Sequence, residues 1–571
     1  MSLSAPAIGC LRLPPGAEAP VVESALAAGV RLFDTAPTYG PEPHAQERTL
    51  GALLRGHDVT VVTKVGMVRH RDRWRPDGRR KTLLADAERS ARAFGETLGR
   101  PPDLTLLHLP DPRVPFATSV RALAAAAKAG LTGAVGLSNV SLPQLEEARD
   151  HIDVAAVEVA IGPFDEDPTR SGVVERCRAL GIPVLAQAPF GGPKKQPRLG
   201  RDADLRWLAD AHGVTPETVV LAWLRSFGVI PLPGVSRPET ARLAAHPLTL
   251  RDDERALLDD RFPVGRLLRT SREARAVRRS RREVVLFVGI PGAGKTRYAA
   301  RLGDHERLSR DERGGSLKGL AEVLDEVLAE GTERVVMDAT YPTRASRNRV
   351  LETAWDHGAA VRAVHFETPL AEAQINAVDR MLDRRGELLA SDALKTAGKR
   401  DPNLFPPRAQ QIYLERFEPL GLDEGFAAIE RVPFERLPVA GHEAPGLVFD
   451  LAALADVAAW RSGEPLDADA IRSHLRPGVA TLVLAWLPPG PRDAAELARE
   501  LRTVAPELEL GACEHPPGPP ICWCRPPLPG LPVRWLRAHG VAPAKVTHFG
   551  AGPASEALAE AMGFQFRRLR Q

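Results

Sequence analysis

One string limits the possible folds more than any other: VVLFVGIPGAGKT, residues 284–296. An apolar, β-branched run passes through two glycines into Gly-Lys-Thr. Such a segment works as a strand, a tight loop and a helix start. A buried strand that feeds a helix belongs to a parallel α/β layer. In the loop, backbone N–H groups around Gly289, Gly292 and Gly294 can cradle phosphate. Lys295 can reach the β/γ oxygens, and the Thr296 hydroxyl can bind Mg²⁺. The motif specifies nucleotide binding and leaves the acceptor open.

The chain has 571 residues. At roughly 100–200 residues per domain, three or four domains are expected. Residues 1–262 alternate apolar strand-like runs with amphipathic segments; VTVVTKV, DLTLLHL, GAVGLSN, VAAVEVA, IPVLAQA and VIPLPG are examples of the runs. That repetition suits a (β/α)8 TIM barrel, which needs about 250 residues. Residues 263–283 read as an Arg-rich linker, with eight arginines between Arg266 and Arg282. Arg269, Arg272, Arg275 and Arg279 would share one helix face. The segment is either a solvated linker helix or a strap for nucleic-acid phosphates. A second α/β unit covers 284–437, a Pro/Gly/Ala-rich linker 438–445, and a third unit 446–571. Net charge is +3, so no global field points to nucleic acid, and 66 of the 76 basic residues are Arg. That bias matches a GC-rich bacterial genome and weakens arguments from Arg clusters. The start, MSLSAPAIGC, lacks the layout of a secretion signal. No apolar run approaches the roughly 20 residues that span a bilayer. Five cysteines are too few for a disulfide scaffold. A reducing cytoplasm and no membrane partner are the expectation.

In the first unit, LFDTAPTYG places Asp34 and Tyr39 after a strand, TKVG ends the next with Lys64, and LLHLPDP places His108 at another strand end. In a barrel these ends converge on one rim. A Lys ammonium would favour the phenolate of a neighbouring tyrosine, a carboxylate would hold the Lys, and a histidine would polarise a carbonyl. These strings resemble the aldo-keto reductase family over 1–262. The resemblance implies the tetrad Asp34, Tyr39 (the acid), Lys64 and His108. It also implies NADP(H), with Ser138 and Asn139 holding the carboxamide and Gly234, Ser236 and Arg237 near the adenosine phosphate, and a small carbonyl substrate. Glu158-Val159 stands where the family has Gln-Asn, and Gln187 where an aromatic ring stacks on the nicotinamide.

In the second unit, SRDERGGS supplies Asp311 one β/α step after the loop. VVMDATYPTRASRNR supplies Asp338 and Thr340. AEAQINAVDRMLDRR supplies Asn376, Arg380, Arg384 and Arg385 on a lid helix. With the tail YLERFEPLGLDEGFAAIERVPF, these strings resemble the kinase domain of polynucleotide kinase/phosphatase. The resemblance implies a 5′-hydroxyl acceptor on DNA or RNA, Asp311 as general base, Lys295 and Thr296 on ATP–Mg²⁺, and Arg380 as the lid arginine. Ala339-Thr340-Tyr341 departs from the family's Asn-Thr-Asn.

In the third unit, CEHPPGPPICWC gives Cys513, His515, Cys522 and Cys524, four ligands for a closed, structural Zn²⁺ site. The spacing resembles the zinc loop of phosphatases in the haloacid-dehalogenase superfamily. Their nucleophile corresponds to Asp450. The partner acid falls on Ala452, the Thr-Asn pair on Trp486-Leu487, a lysine on Pro526, and the Mg²⁺-holding pair on Ala551 and Ser555. A small haloacid-dehalogenase-like α/β domain without phosphatase activity is expected.

The combined expectation is a multidomain α/β enzyme: an ATP-dependent polynucleotide 5′-kinase of end healing joined to an NADP-dependent reductase. A small-metabolite kinase and reductase is one alternative. A kinase flanked by two inert scaffold domains is the other.

Overall fold

The computed structural model describes residues 3–4, 6–70, 73–437, 440–518 and 521–569. Pro438 and Val439 of the expected second linker lie outside these residues, as do Pro519 and Pro520 of the Cys/His loop. Two compact units are formed. One holds Met1–Ala276, Thr343–Arg349 and Glu418–Gly425; the other holds Val277–Pro342, Val350–Phe417 and Phe426–Gln571. No helix among the described residues is long and apolar enough to cross a membrane.

The first unit is a parallel eight-stranded barrel. Its strands run β1 (Ala7–Gly9), β2 (Leu32–Asp34), β3 (Thr60–Val65), β6 (Leu104–Leu107), β7 (Ala134–Ser138), β8 (Val157–Ala160), β9 (Val184–Gln187) and β10 (Ile230–Leu232), in that order around the sheet. A bridge from Gly9 to Gly234 closes the ring. Between β3 and β6, β4 (Met67–His70) and β5 (Arg73–Pro76) form an antiparallel hairpin. Ala7, Leu32, Val62, Leu104, Leu106 and Leu185, from β1, β2, β3, β6 and β9, belong to one buried apolar cluster. The six runs read as strands all contain one, because β-branched and Leu-rich segments are buried on both faces of a parallel sheet.

The expected linker is only partly a linker. Helix Pro263–Arg269 buries Val264 and Leu268 in the barrel's main core. A second short helix, Arg272–Arg275, follows after a break. Arg272 is buried and donates to the Arg170 carbonyl, and Arg269 pairs with Asp259. The single helix face of four arginines is therefore not formed. The two apolar anchors outweigh the charge pattern, because burying each is worth about 1.5–3 kcal/mol.

The second unit contains two parallel five-stranded sheets. The first joins β11 (Glu283–Val288), β12 (Glu306–Ser309), β13 (Arg334–Asp338), β14 (Ala360–Glu367) and β15 (Ala428–Pro433) in the order β12-β13-β11-β14-β15. The Gly-rich loop leaves the central strand β11, beside the point where the strand order reverses. The second joins β16 (Ala444–Asp450), β17 (Ala480–Trp486), β18 (Leu508–Cys513), β19 (Val541–Gly550) and β20 (Gln565–Arg568) in the order β18-β17-β16-β19-β20. Asp450 ends its central strand. One hydrophobic cluster takes residues from helix Leu370–Arg385 and from this second sheet.

Candidate active sites

The barrel rim gathers the four tetrad candidates. Asp34 ends β2, Lys64 lies one residue before the end of β3, and His108 follows β6. Lys64 is fully buried and donates to Asp34. Its ammonium stands 5.7 Å from the centre of the Tyr39 ring, and His108 meets that ring edge-on with centroids 6.2 Å apart. Burial pushes the Tyr39 phenol above its ordinary value, and Lys64 offsets only part of that. Tyr39 is thus a neutral proton donor, whereas a simple pairing with Lys64 predicts a lowered pKa. Burial, aided by Lys64, lowers His108 to about 3, so its imidazole is neutral. Among the described residues, Nδ1 of His108 has no hydrogen-bond partner. A cavity of about 270 Å³ adjoins this group, lined among others by Gly9, Arg12, Asp34, Tyr39, Glu158, Gln187 and Gly234.

Ser138 ends β7 and is fully buried. Asn139 adopts the left-handed conformation at φ 57°, which asparagine tolerates. Its amide donates to the His108 carbonyl (3.0 Å) and the Ser138 hydroxyl (2.9 Å), and it accepts from Gln187 (2.6 Å). Gln187 therefore acts as a polar brace at the position expected for an aromatic ring. Gly234 borders the cavity. Ser236 and Arg237 are exposed before helix Pro238–Ala244, with their backbone N–H groups on the Thr240 hydroxyl.

Two further residues belong to this site. Trp74 of the hairpin stacks on Tyr39 at 5.7 Å and 22°. Its only sequence signal is an aromatic ring between arginines in RWRP, and nothing local places a hairpin over the tetrad. Glu158 on β8 is buried with Oε2 3.2 Å from Lys64 Nζ, and it shares a hydrogen bond with Asp34. Two carboxyl groups thus face one ammonium. Burial first, and the Asp34 charge second, raise Glu158 to about 8. The unfolded chain releases this proton near pH 4.3. Between that value and about 8 the native state holds a proton that the unfolded state does not. Stability from this group therefore falls as pH rises through the window and levels off above it. Glu158→Gln keeps the hydrogen-bonding shape without the titration. Its pH–stability curve should lose a decline of a few kcal/mol between pH 5 and 8.5. Thermal melts of both proteins across that range check this, and parallel curves would refute it.

In the second unit, Gly292 and Gly294 take φ of 91° and 86°, conformations that only glycine adopts freely. A Cβ on Gly292 would stand 2.4 Å from the Ala373 carbonyl oxygen. Lys295 is bonded to the Gly289 (2.9 Å) and Ile290 (3.0 Å) carbonyls, and burial lowers it to about 8. A cavity of about 110 Å³ brings Lys295 and Thr296 together with Arg310, Asp311, Asp338, Thr340, Arg380 and Phe405. Arg307 donates twice to one oxygen of Asp338, at 2.9 and 2.6 Å. Arg380 donates to Asn403 at 2.7 Å, while Arg384 is held by Asp401 outside the cavity lining. Arg385 does not line the cavity either. Asn376 donates to the Gly292 carbonyl at 2.9 Å. Tyr341 is buried with φ 42°, a strained position for a bulky residue where the resemblance expects asparagine. Arg347 is fully buried in a two-point ion pair with Glu424, at 2.8 and 2.9 Å.

The four Cys/His candidates converge. Their ligand atoms all lie within 4.8 Å of one another. Cys513 Sγ is 3.8 Å from Cys522 Sγ and 3.5 Å from His515 Nδ1, and Cys524 Sγ is 3.3 Å from the same nitrogen. Zn–S bonds of about 2.3 Å in a tetrahedron place sulfurs about 3.8 Å apart, so the donor set fits zinc.

A model of the aldo/keto reductase family matches residues 9–260, and a model of an AAA domain matches residues 284–398. The N-terminal domain is an aldo-keto reductase domain. A P-loop, kinase-like domain follows it. An aldo-keto reductase of Gibberella moniliformis is 27% identical over 285 residues, 43% of this chain and 85% of that protein. Methylglyoxal reductase DkgB of Salmonella typhi is 26% identical over 246 residues, 42% of this chain and 85% of that protein. Among solved structures, the glycerol dehydrogenase of Gluconobacter oxydans matches 45% of this chain and 90% of its own, at 21% identity and a TM-score of 0.39.

Proposed function

We propose that the chain is an ATP- and Mg²⁺-dependent polynucleotide 5′-hydroxyl kinase joined to an NADP-dependent reductase, for healing nucleic-acid ends. The convergence of Lys295, Thr296, Asp311 and Arg380 on one cavity carries this reading. ATP supplies the phosphoryl group when bound. Asp311 takes the proton from the attacking hydroxyl, and Lys295 and Arg380 face the charge on the transferring group. Asp338, fixed by Arg307, sits beside them. The test is transfer of labelled phosphate from ATP to 5′-OH oligonucleotides, DNA and RNA side by side. Labelling of a small hydroxylated metabolite, with none of either oligonucleotide, would overturn the acceptor assignment.

In the barrel, NADPH supplies hydride when bound, with Ser138, Asn139, Gly234, Ser236 and Arg237 the residues that would hold it. Tyr39 gives its proton to the carbonyl oxygen, and neutral His108 orients that oxygen. Trp74 covers the group. The substrate class is a small carbonyl compound, and an aldehyde at a damaged end would join the two activities.

The C-terminal module is read as a haloacid-dehalogenase-like domain that holds Zn²⁺ and has lost its chemistry. Its sheet order, with Asp450 at the end of the central strand, supports the fold. Asp450 lies 3.2 Å from buried His548, with Ala452 where a partner acid belongs. Trp486 donates to the His515 carbonyl, and Arg525 is turned back onto the Gly518 and Pro516 carbonyls. Release of 3′-phosphate should stay at background with any divalent metal. Release that disappears in Asp450→Asn would refute this.

A further inference from the structure

The Cys/His loop does more than close its own module. Trp523 stands between Cys522 and Cys524 and is fully buried. Its indole N–H donates to the Phe405 carbonyl at 2.9 Å, and the two rings meet edge-on at 6.3 Å. Phe405 lines the cavity that holds Lys295, Asp311 and Arg380. Two residues before it, Asn403 accepts the hydrogen bond from Arg380. The loop is also fixed on its other side. The Gly530 N–H donates to the Trp523 carbonyl, and a Cβ on Gly530 would stand 2.4 Å from that oxygen.

Helix Gly530–His539 then extends the contact. Its Leu531 and Leu536 share one apolar cluster with Val378, Met381 and Leu382 of helix Leu370–Arg385. Arg537 donates to the Asp379 carbonyl (3.1 Å) and to Asp383 (2.6 Å) at the edge of that contact. The same helix carries Arg380 and places Asn376 on the phosphate loop. It is therefore held between that loop and the C-terminal module. Most helical stability in a folded protein comes from tertiary packing, so the position of this 16-residue helix depends on those contacts.

We propose that Trp523 is a positioning residue for phosphoryl transfer. A metal ion held by Cys513, His515, Cys522 and Cys524 fixes the indole. The indole fixes the Asn403–Phe405 segment and, with helix Gly530–His539, the helix that carries Arg380. Kinase turnover then depends on a metal that takes no part in the chemistry. This rests on the kinase and zinc readings above, and the experiment separates them.

The full chain is examined as purified, after chelation, and after addition of Zn²⁺, beside Trp523→Phe. Readouts are metal content, hydrogen exchange of 370–385 and 402–409, ATP affinity, and kcat for an oligonucleotide. Chelation should raise exchange in both segments, and added Zn²⁺ should restore protection. Trp523→Phe should keep about one zinc per chain and its ATP affinity while exchange in 402–409 rises. Its kcat should fall about tenfold, the lower range for loss of an outer-shell partner of a site. Unchanged exchange in both segments after chelation, with the metal gone, overturns the proposal whether or not the oligonucleotide is phosphorylated. Absence of phosphorylation with the exchange changes present overturns only the acceptor reading. Should Trp523→Phe fail to fold, the chelation and Zn²⁺ arms decide alone.

Discussion

Asp311→Ala is expected to lower 5′-hydroxyl phosphorylation by about 10²–10⁴-fold, the usual worth of a positioned general base. Asp311 sits exposed on the short helix Arg310–Arg313 and lines the small cavity beside Lys295. Its removal breaks no packing, so stability should shift by no more than about 0.5 kcal/mol. ATP should still bind, because the phosphate loop keeps its glycine geometry and Lys295. Lys295→Ala should abolish turnover by the other route. It removes the part-buried ammonium that would meet the β/γ oxygens of bound ATP, and should weaken ATP binding as well. The contrast is the test: Asp311→Ala loses kcat with ATP affinity kept, and Lys295→Ala loses both. Calorimetry with ATP and single-turnover labelling of oligonucleotide distinguish them. Near-normal turnover in Asp311→Ala would show that another group accepts the proton.

Tyr39→Phe is expected to remove carbonyl reduction by a similar factor, about 10²–10⁴. Among the described residues of the rim, the phenol offers a proton to the cavity while burial keeps His108 neutral, Lys64 is committed to Asp34, and Glu158 shares its hydrogen bond with Asp34. Phenylalanine preserves the ring that Trp74 stacks on and that His108 meets edge-on. Nucleotide binding should therefore be unchanged while NADPH oxidation with small aldehydes disappears. Retained oxidation would assign the proton to another donor. No binding of NADPH or NADH at millimolar concentration would instead favour a barrel that serves as a scaffold.

The chemistry-bearing strand ends were legible because they are local. An apolar run followed by Asp34, Lys64 or His108 places each at a strand's C-terminal end, and a parallel barrel brings such ends to one rim. Gly292 and Gly294 were legible because a phosphate-binding turn needs positive φ. The Cys/His set was legible because ligand types and count state the metal's geometry.

Other features were set by residues distant in the sequence. Glu158 reads as a lost glutamine until β8 places it beside Asp34 and Lys64, where desolvation holds its proton to about 8. Arg380, Arg384 and Arg385 share one helix end, and only packing turns Arg380 toward the cavity. The Arg-rich segment looked uniform, yet Val264 and Leu268 draw its first half into the barrel core. Sequence alone thus determined on which strand end or loop each candidate group stands, because covalent spacing and backbone conformation act over a few residues. The tertiary structure decided their protonation, their partners and the bracing of Arg380's helix, because desolvation and close packing depend on neighbours far away in the sequence, as Trp523 is from Phe405, 118 residues apart.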